Sequence, residues 1–345
     1  MSARPYTHRR LNATPRVATI LLIAPVMVYY ATFIRYPIAA TIFNSSHRMP
    51  PRAGRIIPEF VGLENFRTLF GDHILRIAVR NTLVWAAVGT TLEISVALTL
   101  AFIVFFKVPF HRFYRIAWFT PILITGVIVG IVFRWIFNYD WGLVNAFFRA
   151  IGARRLAVNW LGRPDLALGV VIFVHFWNTF GYSFVLLLAG LSAVGQEVVE
   201  SAQIDGANRV QISRSILAPM VLPVTVTTVI LAFMGKMRAF HVVWVLTNGG
   251  PMNQTETVAT YVQKRAFGWT SLDLGYPSAI AVFWFVLVIL GVTAINRWLQ
   301  THTRDAASAS LRSWVAASSV SVSAAYCCRV CCSSLHSSFW CPSYG

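Results

Sequence analysis

LALGVVIFVHFWNTFGYSFVLLLAGLSAVGQ, Leu166 to Gln196, holds no Asp, Glu, Lys or Arg. A helix needs about 20 mostly apolar residues to cross the roughly 30 Å hydrocarbon core of a bilayer, where unpaired backbone groups are not tolerated. The stretch meets that length and predicts a transmembrane helix over about 166–191. Outward from it, similar apolar runs predict further spans at about 17–43, 82–106, 116–137, 220–246 and 277–298. Arg35 and Pro37 stand near the far end of the first, and Glu93 alone interrupts the second. The expected fold is therefore an all-α integral membrane protein with six transmembrane helices.

Composition agrees. Of 345 residues 57% are hydrophobic and only 12% charged, which excludes an ordinary soluble domain and makes membrane lipid the expected solvent. The net charge of +17 comes from basic residues scattered among the apolar segments, so it points to loop and interface charges and to no nucleic-acid partner. Six spans put both termini on one side. Lys and Arg favour cytoplasmic loops, yet here they divide almost evenly between the two sides, and only the basic N-terminal segment 1–16 leans toward the cytoplasm.

The tail, 299–345, differs from the six-span body at 17–298. It is rich in Ser and Ala and then carries all five cysteines, from Cys327 to Cys341. The adjacent pairs of CCRVCC are unlike the spaced ligands of structural zinc sites, so no metal site is expected. The tail reads as disordered or out of frame.

Between the fourth and fifth spans, at about 192–219, lies a segment that includes EVVESAQIDGANRVQISRSILAP, Glu197 to Pro219. Glu197, Glu200, Asp205, Arg209 and Arg214 keep it out of lipid. Gly206 accepts backbone angles closed to other residues, so the pattern predicts a helix, a turn and a second helix. A solvated amphipathic loop without further role fits the same residues.

At these positions the chain resembles the permease subunits of ATP-binding-cassette importers, whose signature is Glu-Ala-Ala, three residues, Gly, nine residues, Ile, one residue, Leu-Pro. Glu200, Ala202, Gly206, Ile216 and Pro219 match; Ser201 replaces an Ala, and Ala218 the Leu. NTL at Asn81–Leu83, NWL at Asn159–Leu161, AGL at Ala189–Leu191, LTNGGP at Leu246–Pro251, FVGLENF at Phe60–Phe66 and DLGYPSA at Asp273–Ala279 are similar to strings of the maltose and glycerol-3-phosphate branch, first-partner type. His241 departs from it, standing where that branch commonly has an acid after Phe240.

The resemblance implies a helix-turn-helix coupling loop formed by Glu197, Glu200, Ser201, Ala202, Asp205, Gly206, Ala207, Ile216 and Pro219. It also implies a second homologous permease subunit, two copies of a cytoplasmic ATPase and an extracytoplasmic solute-binding protein, in the cytoplasmic (inner) membrane of a prokaryote. Docking on that ATPase would place the loop and both termini in the cytoplasm. No GxxxxGK[ST] phosphate loop occurs in the chain, so ATP and Mg are expected on the partner ATPase and no cofactor on this chain. The chain is thus expected to be a transport subunit without catalytic residues of its own.

A sugar offers hydroxyls to hydrogen-bond and ring faces to stack on aromatics, so the candidate solute path is His175, Trp177, Asn178 and Tyr182 of the fourth span, with Arg238 and Glu93. Interface aromatics and helix-packing polar residues are the plainer alternative for each. Glu93 requires a cavity or a basic partner, for which Arg238, Lys236 and Arg134 are candidates, or it is protonated in simple helix packing. Gly126 and Gly130 form GxxxG, a close-packing motif. A proton-driven carrier using Glu93 and a membrane enzyme are the competing classes. Against the enzyme, no metal set, GxSxG elbow or acid pair of a glycosidase is present in the body.

Overall fold

A computed structural model describes residues 16–49, 51–52, 55–56, 58–268 and 273–299. The cysteine-bearing segment and most of the N-terminal segment 1–16 lie outside these residues. Four helices are long and apolar enough to cross a membrane: Ile20–Ser45, His73–Phe105, Ala167–Ser192 and Gly275–Leu299. Two bent pairs, His111–Leu123 with Gly126–Ile136 and Arg209–Met220 with Leu222–Met237, bring the number to six if each pair is one span. The described residues fall into two compact units, one of those up to 79 and from 256 to 287, the other of those from 80 to 255 and from 288 to 299.

In the first unit, the segment after Ser45 forms short antiparallel pairings, His47–Arg48 with Glu59–Phe60 and Pro51–Arg52 with Arg55–Ile56, and then the helix Glu64–Gly71. Asn65 of the FVGLENF string fixes this turn, its amide donating to the carbonyls of Ser45 and His47 at 3.0 Å each. Asp72 caps the next helix, its Oδ1 accepting from the backbone N–H of Ile74 and Leu75 at 2.9 and 3.1 Å. That cap is why the helix starts at His73, ahead of the apolar run at Thr82: hydropathy marks only the part in lipid, whereas a capped helix continues through Arg76 and Arg80.

Asp72 Oδ2 also accepts hydrogen bonds from the hydroxyls of Tyr261 and Tyr276, with the Arg265 guanidinium 3.7 Å away. Burial raises the carboxyl's pKa, but the two phenols and the two backbone N–H groups outweigh it and hold it below the ordinary value. Burial, together with the Asp72 hydrogen bond, pushes Tyr261 up to about 12.

In the second unit, two apolar cores form. One gathers Ala97, Ala101 and Val104 with Phe184, Leu187, Leu188 and Leu191, and closes over Val199, Ala202, Ile212 and Leu217. The other surrounds Trp85, Val129, Val171, Val174, Val242 and Val243. The third and fifth spans, expected as continuous helices over 116–137 and 220–246, are interrupted. The third bends by 97° at Ile124–Thr125, both in extended conformation. The helix Leu222–Met237 stops at Arg238, and a separate short helix, His241–Leu246, follows. The first interruption carries no charged residue and leaves the apolar run intact, whereas the second falls among Lys236, Arg238 and His241, polar residues inside the expected fifth span that do not by themselves say where its helix ends.

Candidate functional site

The interruptions need groups to satisfy the backbone they expose, and the fourth span supplies one. Asn178 donates its amide to the carbonyls of Pro121 and Ile124 at 2.7 and 3.2 Å, at the bend of the third span. GxxxG then seats the second half of that span. A Cβ on Gly130 would lie 2.9 Å from Val245 Cβ, so only glycine lets the helix Gly126–Ile136 approach His241–Leu246 this closely.

Behind this contact is a buried charge cluster. Glu93, 2% exposed, accepts from Lys236 Nζ at 2.7 Å and Thr179 Oγ1 at 2.9 Å on one oxygen, and from Ser183 Oγ at 2.5 Å on the other. Three helices therefore meet on one carboxylate. Of the three basic residues considered as partners in the sequence, the fold selects Lys236. Gly89 makes room, since a Cβ there would sit 2.9 Å from Lys236 Cε. Thr179 and Ser183 were not among the sequence candidates, although with His175 they recur every four residues on one helix face.

A cavity of about 420 Å³ opens at the break in the fifth span. His175, Asn178, Arg238, Phe240 and His241 line it, with Gly126 at the bend of the third span. Of the sequence candidates, His175, Asn178 and Arg238 reach it. Trp177 instead packs edge-on against Phe133 at 5.1 Å in an apolar core, Tyr182 is exposed elsewhere on its helix, and Glu93 is held by Lys236. His241 and Phe240, missed as lining residues, arrive because the helix ends at Arg238. Phe240 stacks with Trp244 at 5.2 Å.

The polar segment between the fourth and fifth spans contains a helix, Gln196–Ile204, a turn in which Gly206 has φ +82°, and the helical stretch Arg209–Met220. Asn208 caps the second arm through a reciprocal pair with Gln211, at 2.8 and 2.9 Å. Val199, Ala202, Ile212 and Leu217 are buried against the spans, with Ala207 and Ile216 packed partly against them, whereas Glu197, Glu200, Ser201, Asp205, Gly206 and Pro219 are exposed. Ile204 at the turn is 86% exposed. The second arm bends 72° straight into Leu222–Met237, whose last turn carries Lys236.

The short strings also acquire contacts. Asn81 of NTL donates to the carbonyls of Asn253 and Gln254 at 3.3 and 2.9 Å, in the turn after LTNGGP. Trp160 of NWL donates to Asn145 at 2.9 Å, and Asn145 in turn donates to the carbonyls of Tyr139 and Val158.

The family model described as "Binding-protein-dependent transport system inner membrane component" matches residues 93–305. The chain is 28% identical to the sulfoquinovosyl glycerol transport system permease protein SmoG of Agrobacterium fabrum, covering 86% of this chain and 95% of that protein. It is 31% identical to the trehalose/maltose transport system permease protein MalF of Thermococcus litoralis, covering 78% and 89%. In fold it is similar to a chain of a bacterial alginate ABC transporter solved in complex with an alginate pentasaccharide-bound periplasmic protein, with TM-score 0.73 and 20% identity over 83% of this chain and 95% of that one. With the family model matched over more than half of its length and MalF 31% identical over 78% of it, the chain belongs to the inner membrane components of binding-protein-dependent transport systems.

Proposed function

We propose that this chain is one of the two permease subunits of an ATP-binding-cassette importer for a sugar or related polyol. The helix pair about Gly206 faces the cytoplasm, as do both termini, and docks on a separate ATPase that holds ATP and Mg. A solute-binding protein delivers cargo from the other side. One observation carries the reading: the exposed helix pair continues through a single 72° bend into the helix that ends at the cavity.

That continuity gives the energy of a partner a mechanical route. Glu197, Glu200, Ser201, Asp205 and Gly206 present the outward face to the ATPase, while Ala202, Ala207 and Ile216 key the pair to the spans. Movement of the pair displaces Leu222–Met237, and with it the wall of the cavity. Alternating access requires two such states exposing the cavity to opposite sides. Carbohydrate as the cargo class is supported by the sugars after which the relatives are named and by Phe240, an apolar face beside polar groups.

The test is uptake by the complete transporter in proteoliposomes with ATP inside and the binding protein outside. Sugar uptake that stops without either supports the reading. Uptake driven by a proton gradient with no ATPase present would overturn it in favour of a secondary carrier.

A further inference from the structure

The cavity has a sign. Arg238 lines it, no carboxylate does, and Glu93, behind it, has both oxygens engaged by Lys236, Thr179 and Ser183. Arg238 is exposed, and its only described contact is Nε to the carbonyl of Met234, four residues back, at 3.4 Å. No carboxylate lies within ion-pair distance of it among the described residues. A guanidinium at a break in a transmembrane helix cannot rest in hydrocarbon, where a charge costs about 2.5–3.5 kcal/mol on insertion scales. It therefore belongs to a watered path, where its planar fork of donors suits an oxyanion.

From these positions we infer that the cargo is an anionic sugar, one bearing a carboxylate, sulfonate or phosphate, with its charged group at Arg238 and its ring against Phe240. The inference rests on the carbohydrate-importer reading and narrows it. Glu93 contributes indirectly: its pairing with Lys236 offsets the charge that would repel such a cargo, and among the described residues Arg238 is left as the lining cation without a carboxylate partner. His241 extends the same face with a further donor.

The experiment compares cells with and without this permease gene, the rest of the transporter being present. They are supplied with an equimolar mixture of galacturonate, digalacturonate, glucuronate, a 6-sulfonated hexose and glucose 6-phosphate, with galactose, maltose, maltotriose and glycerol as neutral counterparts. Permease-dependent depletion is read by mass spectrometry. The expected result is depletion of one or more acidic members, reduced at least tenfold by Arg238→Gln and largely retained in Arg238→Lys, at equal membrane levels by immunoblot. Depletion of neutral members alone, or of acidic ones equally in wild type and Arg238→Gln, overturns the anionic cargo while leaving the importer standing. Depletion of no sugar overturns the carbohydrate reading itself. Should Arg238→Gln fail to reach the membrane, the charge of the sugar removed by wild type still decides.

Discussion

Lys236 places its ammonium 2.7 Å from the carboxylate of Glu93, with both side chains almost fully buried and the residues 143 positions apart in the chain. Removing one partner of such a pair leaves an uncompensated buried charge, at a cost of about 3–5 kcal/mol, whereas replacing both by apolar residues of similar size is often tolerated. Lys236→Met is therefore expected to lower the melting temperature of the purified protein sharply, and Glu93→Leu with Lys236→Met to recover most of the loss. Additive losses in that cycle would show that the two residues do not act as a pair.

Gly206→Val forces a β-branched residue to φ +82°, a strain of roughly 1–3 kcal/mol confined to an exposed turn. The spans should still insert. Solute-dependent uptake should be abolished, and likewise in Glu200→Lys, which reverses the charge on the exposed face. Normal uptake in both variants, measured in proteoliposomes, would remove the coupling role from this segment.

Asn178→Leu keeps the volume but leaves the carbonyls of Pro121 and Ile124 without their donor. Each unsatisfied buried group costs about 1–3 kcal/mol, so a clear drop in melting temperature is expected. A melting temperature equal to wild type would mean that the bend satisfies its own backbone.

Asp72 gives a pH dependence with a definite sign. Its pKa is lowered in the folded chain, so its stabilisation is fully present above the ordinary carboxylate value near 4 and is lost as pH falls through the lowered folded value. Melting temperatures measured from pH 7 down to 3 should fall on the acid side in wild type. Asp72→Asn should start lower at pH 7 and show a shallower acid limb, because the titrating acceptor is gone.

Gly130→Leu would drive a side chain into Val245. Overpacking of this kind costs about 1–3 kcal/mol, and the variant should melt lower while Gly169→Leu, at a position with open space, should not. Equal melting of the two would argue against the close packing of Gly126–Ile136 on His241–Leu246.

The sequence by itself determined that this chain lives in lipid, where its apolar runs lie, and which polar segment stays outside, because hydropathy and charge act on each residue separately and need no partner. It also determined the turn at Gly206, since backbone freedom is a property of the residue. Only the tertiary structure decided that Lys236, rather than Arg238 or Arg134, meets Glu93, and that Asn178 serves a bend while Trp177 and Tyr182 point elsewhere. The reason is that the break at Ile124–Thr125 carries no charged residue, that Lys236 and Arg238 do not by themselves say where the fifth helix ends, and that pairing across distant positions is fixed by how the helices pack. With Lys236 assigned to Glu93, Arg238 is left without a carboxylate partner among the described residues, and the cavity acquires its charge.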